Sequence, residues 1–476
     1  MKTHSPSQVR RGPLALACAW IAVLVAGCQT YQRVPLDLAS HLTLVGTRAT
    51  DSEPIEDFVK RLREGGVTDV RGYNLEDGLS FAEGEVLALF NNPDLRSLRR
   101  EAGLALAKFE TAGLWEDPVF GFDAAELLSP SGPFEYGLTL GLTLPISGRL
   151  GVARVQAAAI VEAERRRIVD AEWSLRFRVR MAWVEWTVAA ERLRLAREVT
   201  SQVESVLEII EALETSGELS RIEARLFRVA LANRRSAILG ADLAEGQARL
   251  LLFRLMGLGP DASVELVPAT ELSVVEQPED PAARLLMGNT QLDVARAQYE
   301  AAEESLRLEI RKQYPDVSLG SGFGSEDNDK RFLFGVSVPL PILNANKAGI
   351  ATARASREIA RVKAEALLEQ LLHELAVAQR DYEGARLLRE QLEAEAIPLV
   401  QEQLSEAQEV ASLGEVDAFL LLETLSLQAD TKGQLLSLQL AEAKAGLRIM
   451  ALLGPDSKSE PLPSGESVLE GGEGRP

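Results

Sequence analysis

Residues able to do covalent or metal chemistry are scarce in this 476-residue chain. Its three histidines, His4, His41 and His373, are isolated from one another and from the two cysteines. Each reads as a surface residue. No nucleophile elbow, phosphate-binding loop or His/Cys metal spacing is present, so no catalytic constellation and no metal site can be assembled from the sequence. Trp183 and Trp186, three apart, fit helix packing better than a ligand platform. Carboxylates are abundant: 71 Asp and Glu against 51 Lys and Arg give a formal net charge of −20. This acidity argues against nucleic acid as a partner and favours cations. Glu218, Glu415 and Asp417 stand out, because they flank Gly217, Ser220 and Gly414 in what read as breaks between helices.

One thiol has a distinct context. Lys2, Arg10 and Arg11 precede an apolar run from Pro13 to Gly27 that is too short to span a bilayer, and the run ends in Leu24-Val25-Ala26-Gly27-Cys28. This pattern resembles the bacterial lipobox and predicts removal of residues 1–27 and covalent lipid on Cys28. Cleavage would also remove Cys18 and three positive charges, leaving a more acidic chain with no intrachain disulfide.

The elements around these residues follow two periodicities. In one stretch Phe134, Tyr136, Leu138, Leu140 and Leu142 alternate with Glu135, Gly137, Thr139, Gly141 and Thr143, which predicts a strand with one apolar face. Pro145 then turns the chain into a helical run without proline until Pro260. The event recurs where Phe332, Phe334, Val336, Val338 and Leu340 alternate ahead of Pro341 and a second long helical run. Phe120, Phe122 and Ala124 after Pro118 predict a partner strand. Ser80 with Glu83, and Ser220 with Glu223, are capping boxes that start helices.

These features are duplicated. Asn92 and Asn289, Pro118 and Pro315, Gly217 and Gly414, and Gly257 and Gly454 are each separated by 197 residues; Pro145 and Pro341 are separated by 196. Ser220 pairs with Asp417, both good helix N-caps. The expected organisation is a signal peptide (1–27), a partly extended lead-in from the anchor (28–78), a first repeat (79–257), a linker (258–279), a second repeat (280–454) and a disordered tail (455–476). Pro398, whose repeat counterpart Ser201 is not proline, should kink or interrupt its helix.

Helices of about 65 residues run about 100 Å and have no globular core of their own, so they must pack beside copies of themselves. Four strands of about ten residues match tilted transmembrane strands. An open four-stranded sheet would leave unpaired edges in lipid, so the strands must close with those of other subunits.

Asn91-Asn-Pro-Asp-Leu95, the hairpin ending in Leu144-Pro145, the breaks at Gly217 and Gly414, and Leu340-Pro341-Ile-Leu-Asn344 together resemble the bacterial outer-membrane efflux protein (TolC-like) family over about residues 75–457. The run Val338 to Asn344 is nearer its heavy-metal branch. The resemblance implies a mainly α fold with a membrane β-barrel, in which a homotrimer contributes four strands per protomer to a 12-stranded barrel and long α-helical hairpins form a periplasmic tunnel. It further implies a periplasmic adaptor and an inner-membrane pump of the RND type as partners. Cys28 would carry its lipid in the outer membrane, with Gln29 fitting that address. Gly217, Glu218, Ser220, Gly414, Glu415 and Asp417 would form the gate and adaptor-docking tips, and Pro145 and Pro341 the strand-to-helix turns. The turns at Leu127–Pro133 and Ser325–Lys330 would face the exterior. No enzymatic activity and no cofactor beyond the lipid are implied. Competing expectations are a periplasmic coiled-coil scaffold lipoprotein and a type I protein-secretion outlet.

Overall fold

The computed structural model describes residues 31–48, 53–64, 73, 77–126, 134–269, 278–326, 329–412 and 418–455. The signal segment, Cys28, the turn at 127–133, the second helix break with Gly414, Glu415 and Asp417, and the tail beyond 455 lie outside the described residues. By contacts the chain falls into two units, Met1–Thr47 and Arg48–Pro476. The described part of the first holds α1 (Leu38–Gly46), capped by the Asp37 carboxylate, which accepts from the Ser40 amide at 3.0 Å.

The second unit runs α2 (Glu53–Glu64), α3 (Phe81–Asn91), α4 (Pro93–Thr111), β1 (Val119–Glu126), β2 (Phe134–Leu144), α5 (Arg149–Ser216), α6 (Arg221–Met256), α7 (Pro281–Gly288), α8 (Thr290–Arg311), β3 (Val317–Glu326), β4 (Asp329–Ser337), α9 (Lys347–Gln391), a π-helical turn (Leu392–Ala396), α10 (Ile397–Ser412) and α11 (Ala418–Leu453). It is mainly α with one antiparallel sheet in the order β1-β2-β3-β4. The helices account for the proline-free runs and the strands for the alternating ones.

One local expectation needs correction. The partly extended lead-in also holds α1 and α2. Pro54 sits in the first turn of α2, where a missing amide proton costs nothing. Ile55, Val59 and Leu62 then fall on one face and are buried. β4 stops at Ser337, short of Leu340, because Pro339 and Pro341 have no amide proton to give a ladder.

The duplication is written in hydrogen bonds. The Asn92 side-chain carbonyl accepts from the amides of Asp94 and Leu95, both at 3.0 Å, while its amide donates to the Leu255 carbonyl at 2.9 Å. Asn289 accepts from the Leu292 amide at 3.0 Å and donates to the Leu452 carbonyl at 2.9 Å. Each asparagine therefore starts one helix and ties it to the end of another. Gly257 and Gly454 close those other helices with φ of +68° and +77°, and a Cβ on either would strike the backbone oxygen of Asn91 or Gly288. Position and packing both demand glycine there.

The helix through α9 and α10 matches α5 in two registers. Leu371, Leu375 and Ala378 correspond to Leu175, Val179 and Ala182 at an offset of 196, and all six are buried. Beyond the π turn, Val400 and Leu404 correspond to Val203 and Leu207 at an offset of 197. The π turn is one inserted residue, absorbed without losing the apolar face on either side. It lies directly before Pro398, so the proline interrupts the α-helical ladder and the helix continues.

The largest core is in the first repeat, where Ile55, Val59, Leu87, Trp183, Trp186, Leu252 and Met256 cluster with Leu79 and Leu266. A smaller one, around Leu285, Leu292, Leu371, Leu375 and Ile449, occupies the second.

Candidate functional site

The sheet brings the alternating residues of four strands into register. Phe120 and Phe122 of β1 face Leu140 and Leu138 of β2; Leu138 and Leu142 face Phe323 and Leu319 of β3; and these face Phe332 and Val336 of β4. Cross-strand partners share a face, so one side of the sheet is an apolar surface interrupted by Ser321, which lies between Leu140 and Phe334. The other side carries the mostly small or polar Gly121, Gly137, Thr139, Gly141, Gly320, Gly322 and Gly335, with Val119 and Leu333 at its edges. No described helix covers the apolar side near its edges, where Phe120 is 67% and Phe332 73% exposed. Among the described residues β1 and β4 each have a strand partner on one side only. No described helix is long and apolar enough to cross a membrane.

The strand-to-helix turns fix this sheet to the long helices, and each is built differently. After Pro145, Gly148 takes φ +71° and α5 begins. Arg149 pairs with Asp316 at 2.7 Å and Glu116 at 2.8 Å, and the Ser147 hydroxyl donates to Asp316 at 2.9 Å. The first turn is thus bolted to residues preceding β1 and β3. After Pro341, Asn346 takes φ +51°, and its amide donates to the Glu309 carboxylate at 2.7 Å and carbonyl at 2.8 Å. Lys312 and Asn346 hold the Glu309 carboxyl below its ordinary pKa. A cavity of about 220 Å³ under the first turn, lined by Leu114, Thr143, Pro145, Arg149 and Leu308 among others, is smaller than the roughly 300–1,000 Å³ of small-molecule sites.

At the far end of α5 the first helix break is well formed. Gly217 has φ +84°, its amide donates to the Glu214 carbonyl, and the amides of Glu218 and Leu219 return to Leu213. Ser220 caps α6 and shares a capping box with Glu223. Glu218 is exposed. Arg228 binds Glu211 at 3.1 Å and Glu214 at 2.7 Å, holding the two arms together. Ile210, Ala224 and Phe227 pack with Leu422 of α11, and Val203 and Leu231 with Leu404, Leu421 and Leu425. The two helical hairpins therefore meet through apolar contacts near this end, although Gly414, Glu415 and Asp417 themselves lie outside the described residues. Among the described residues no group of three or more His, Cys, Asp or Glu could hold a metal ion.

Sequence reasoning missed the buried charge ladder midway along α5. Glu85 of α3 pairs with Arg176 at 3.0 Å and with Arg180, and Glu172 pairs with Arg99 of α4 at 2.8 Å. Burial raises the Glu172 pKa, with Arg99 opposing the shift. The i, i+4, i+8 spacing of Glu172, Arg176 and Arg180 was the available signal. Trp183 and Trp186 are packing residues, as expected: their rings meet edge-on at 6.1 Å, and their indole N–H groups donate to the Val267 carbonyl at 2.9 Å and to Glu245 at 2.7 Å.

This arrangement recurs in known structures. A crystal structure of CusC, described in terms of transmembrane channel formation, superposes with TM-score 0.69 at 17% identity, over 90% of this chain and all of that one. The chain has the fold of a TolC-like outer-membrane channel. The open-state MtrE outer membrane channel of Neisseria gonorrhoeae gives TM-score 0.67 at 20% identity over 79% of this chain and 89% of that one. The CmeC outer membrane channel of Campylobacter jejuni gives 0.67 at 15% over 94% and 97%. By sequence, the chain is similar to the cobalt-zinc-cadmium resistance protein CzcC of Cupriavidus metallidurans, 25% identical over 268 residues. That match spans 55% of this chain and 63% of the relative, under two thirds of its length. No protein-family model matches the chain.

Proposed function

We propose that this protein is the outlet duct of a tripartite efflux system in the outer membrane. The observation that carries the reading is the sheet: four strands with one mainly apolar face and, among the described residues, two unpaired edges, joined by short turns to helices about 100 Å long. Three copies pairing β4 of one with β1 of the next give a closed 12-stranded barrel with no edge in lipid. The helices continue that barrel as a tunnel through the periplasm. Cys28 carries lipid in the same membrane. An inner-membrane pump supplies the energy, a periplasmic adaptor docks at the helical tips, and conduction through the duct is passive.

The cargo is divalent metal cations. The acidity of the chain favours them, and the similarity to a cobalt-zinc-cadmium resistance protein supports the choice. Glu218, with Glu415 and Asp417 at the matching break of the second repeat in sequence, would put acids at the tips, where three protomers would ring the opening with negative charge. A deletion strain should lose growth in cobalt, zinc or cadmium while tolerating dyes, detergents and apolar antibiotics like its parent. Broad sensitivity to apolar drugs with unchanged metal tolerance would overturn the cation assignment and leave the duct.

A further inference from the structure

The helices nearest the first break carry opposite charges at opposite ends of their packing order. α5 packs against α6 and α11, and α11 against α10, so α6 and α10 are the outer members of these four helices. From Arg221 to Arg235, α6 carries five arginines and one glutamate, in a chain whose net charge is −20. From Leu392 to Ser412, the π turn and α10 carry five glutamates and no lysine or arginine.

Each outer helix has a side turned away from the other three. Ala224, Phe227 and Leu231 bury one side of α6 against α5 and α11. Ile222, Leu226 and Val229 each lie two residues from one of these, about 200° round the helix, and Ile222 is 76% exposed. Val400 and Leu404 bury one side of α10. Glu402 and Glu406 lie two residues from them, on the opposite side, with Leu399, 64% exposed, beside them. Among the described residues Glu402 and Glu406 pair with no cation, and Arg225, next to Leu226, pairs with no carboxylate. The two helices also run level. Leu231 and Leu404 share one apolar cluster, α6 leads away from its break, and α10 leads towards the matching one. Counting in opposite directions from that contact puts Val229 level with Glu406 and Asn233 level with Glu402, with Arg225 about one turn from Glu406.

We propose that the free side of α6 in one copy docks on the free side of α10 in the next, and that the seam between copies is matched in charge, with the Arg225 guanidinium reaching Glu406. The inference rests on the trimeric duct proposed above. Closure of the sheet pairs β4, in the second repeat, with β1 in the first repeat of the next copy, and α10 and α6 belong to those same two repeats. The seam then continues from the sheet to the helical end. Exposed ion pairs add little to affinity; here they set which sides meet. Two copies meeting face to face would bring α6 against α6 or α10 against α10, arginine on arginine or glutamate on glutamate. A ring with every copy in one orientation brings opposite charges together.

The test uses the full chain carrying Val229→Cys and Ser405→Cys, two exposed positions on the free sides whose replacement leaves every charge in place. It is treated with a short bis-maleimide, and the chain with only its natural Cys18 and Cys28 sets the background. Covalent dimers and trimers on a denaturing gel are expected. Adding Arg225→Glu should lower the linked fraction several-fold, and adding Glu406→Arg to that variant should restore it to near the starting level. Links that form only within single chains, or no recovery in the reversed pair, would overturn the seam. Native mass spectrometry separates the two levels: a trimer without linked chains sinks only the seam, whereas a protein that is monomeric sinks the duct and the seam with it.

Discussion

The first and second halves of this chain share a plan and carry different loads. Both use an asparagine to start one helix and tie down another, both close with a left-handed glycine, and both send a β-hairpin into a long helix. The first half holds the large core with two tryptophans, the buried Glu85–Arg176 and Glu172–Arg99 pairs, and a helix of 68 residues without interruption. The second holds a smaller core, a π turn beside Pro398, and an uncovered Met287. Features that recur define the scaffold, and features that differ show where buried packing is concentrated. The first half holds the larger core; the second carries the interruption in its long helix.

The largest expected effect tests that division of load. Trp183→Ala empties a fully buried site and frees the Val267 carbonyl, so it should cost about 3–5 kcal/mol in a denaturation experiment. Its register counterpart Gln379 is half-buried, and Gln379→Ala should cost less than about 1 kcal/mol. Equal losses would break the comparison.

The shared part is tested next. Asn92→Ala and Asn289→Ala each remove a cap and a tie, and each should cost about 1–2 kcal/mol. Similar values sharpen the duplication; a large loss at one and none at the other would contradict it. The π turn gives a third test. Deleting Ala394 together with Pro398→Ala restores α-helix and keeps Leu375 and Val400 on their faces, so trimer yield should stay near that of the parent. Deleting Val199 from α5, where no spare residue exists, swings everything beyond it by about 100° and should abolish assembly.

The smallest effect concerns pH. Burial raises the Glu172 pKa above its unfolded value, so its contribution to stability is full below the unfolded value and is lost as pH rises through the folded one. Hydrogen bonds lower that of Glu309, so its contribution is present above the unfolded value and lost as pH falls through the folded one. Glu172→Gln and Glu309→Gln should therefore change the slope of stability against pH in opposite senses through the acid range. Slopes altered in the same sense would contradict the assignment.

Much of this architecture was legible in the sequence because it rests on periodicity and punctuation. Period-2 alternation located three of the four strands, and the constant spacing of Asn92, Pro118, Gly217 and Gly257 from their counterparts exposed the repeat that implies the fourth. The shift in offset from 196 to 197 already encoded the π turn, which only the buried faces of α9 and α10 made readable. What stayed hidden depends on contacts between distant segments. α2 was not picked out within the partly extended lead-in, and its Pro54 is tolerated because it falls in the helix's first turn. Arg149 gave no sign that it would meet Asp316, 167 positions away. For the tips, the sequence named Gly217 and Ser220 correctly as a helix stop and start, since their geometry is local. The roles assigned to Glu218, Glu415 and Asp417 depend on how three copies converge, which a single chain does not display.

The central claim is that the exposed apolar sheet closes with two other copies into a membrane pore. Its most direct test is electrical: the purified protein, added to a planar lipid bilayer, should give discrete conductance steps from the fraction that native mass spectrometry identifies as trimer. Glu218→Gln combined with Glu415→Gln and Asp417→Asn should lower its cation selectivity. A folded trimer that leaves the bilayer silent would contradict the account.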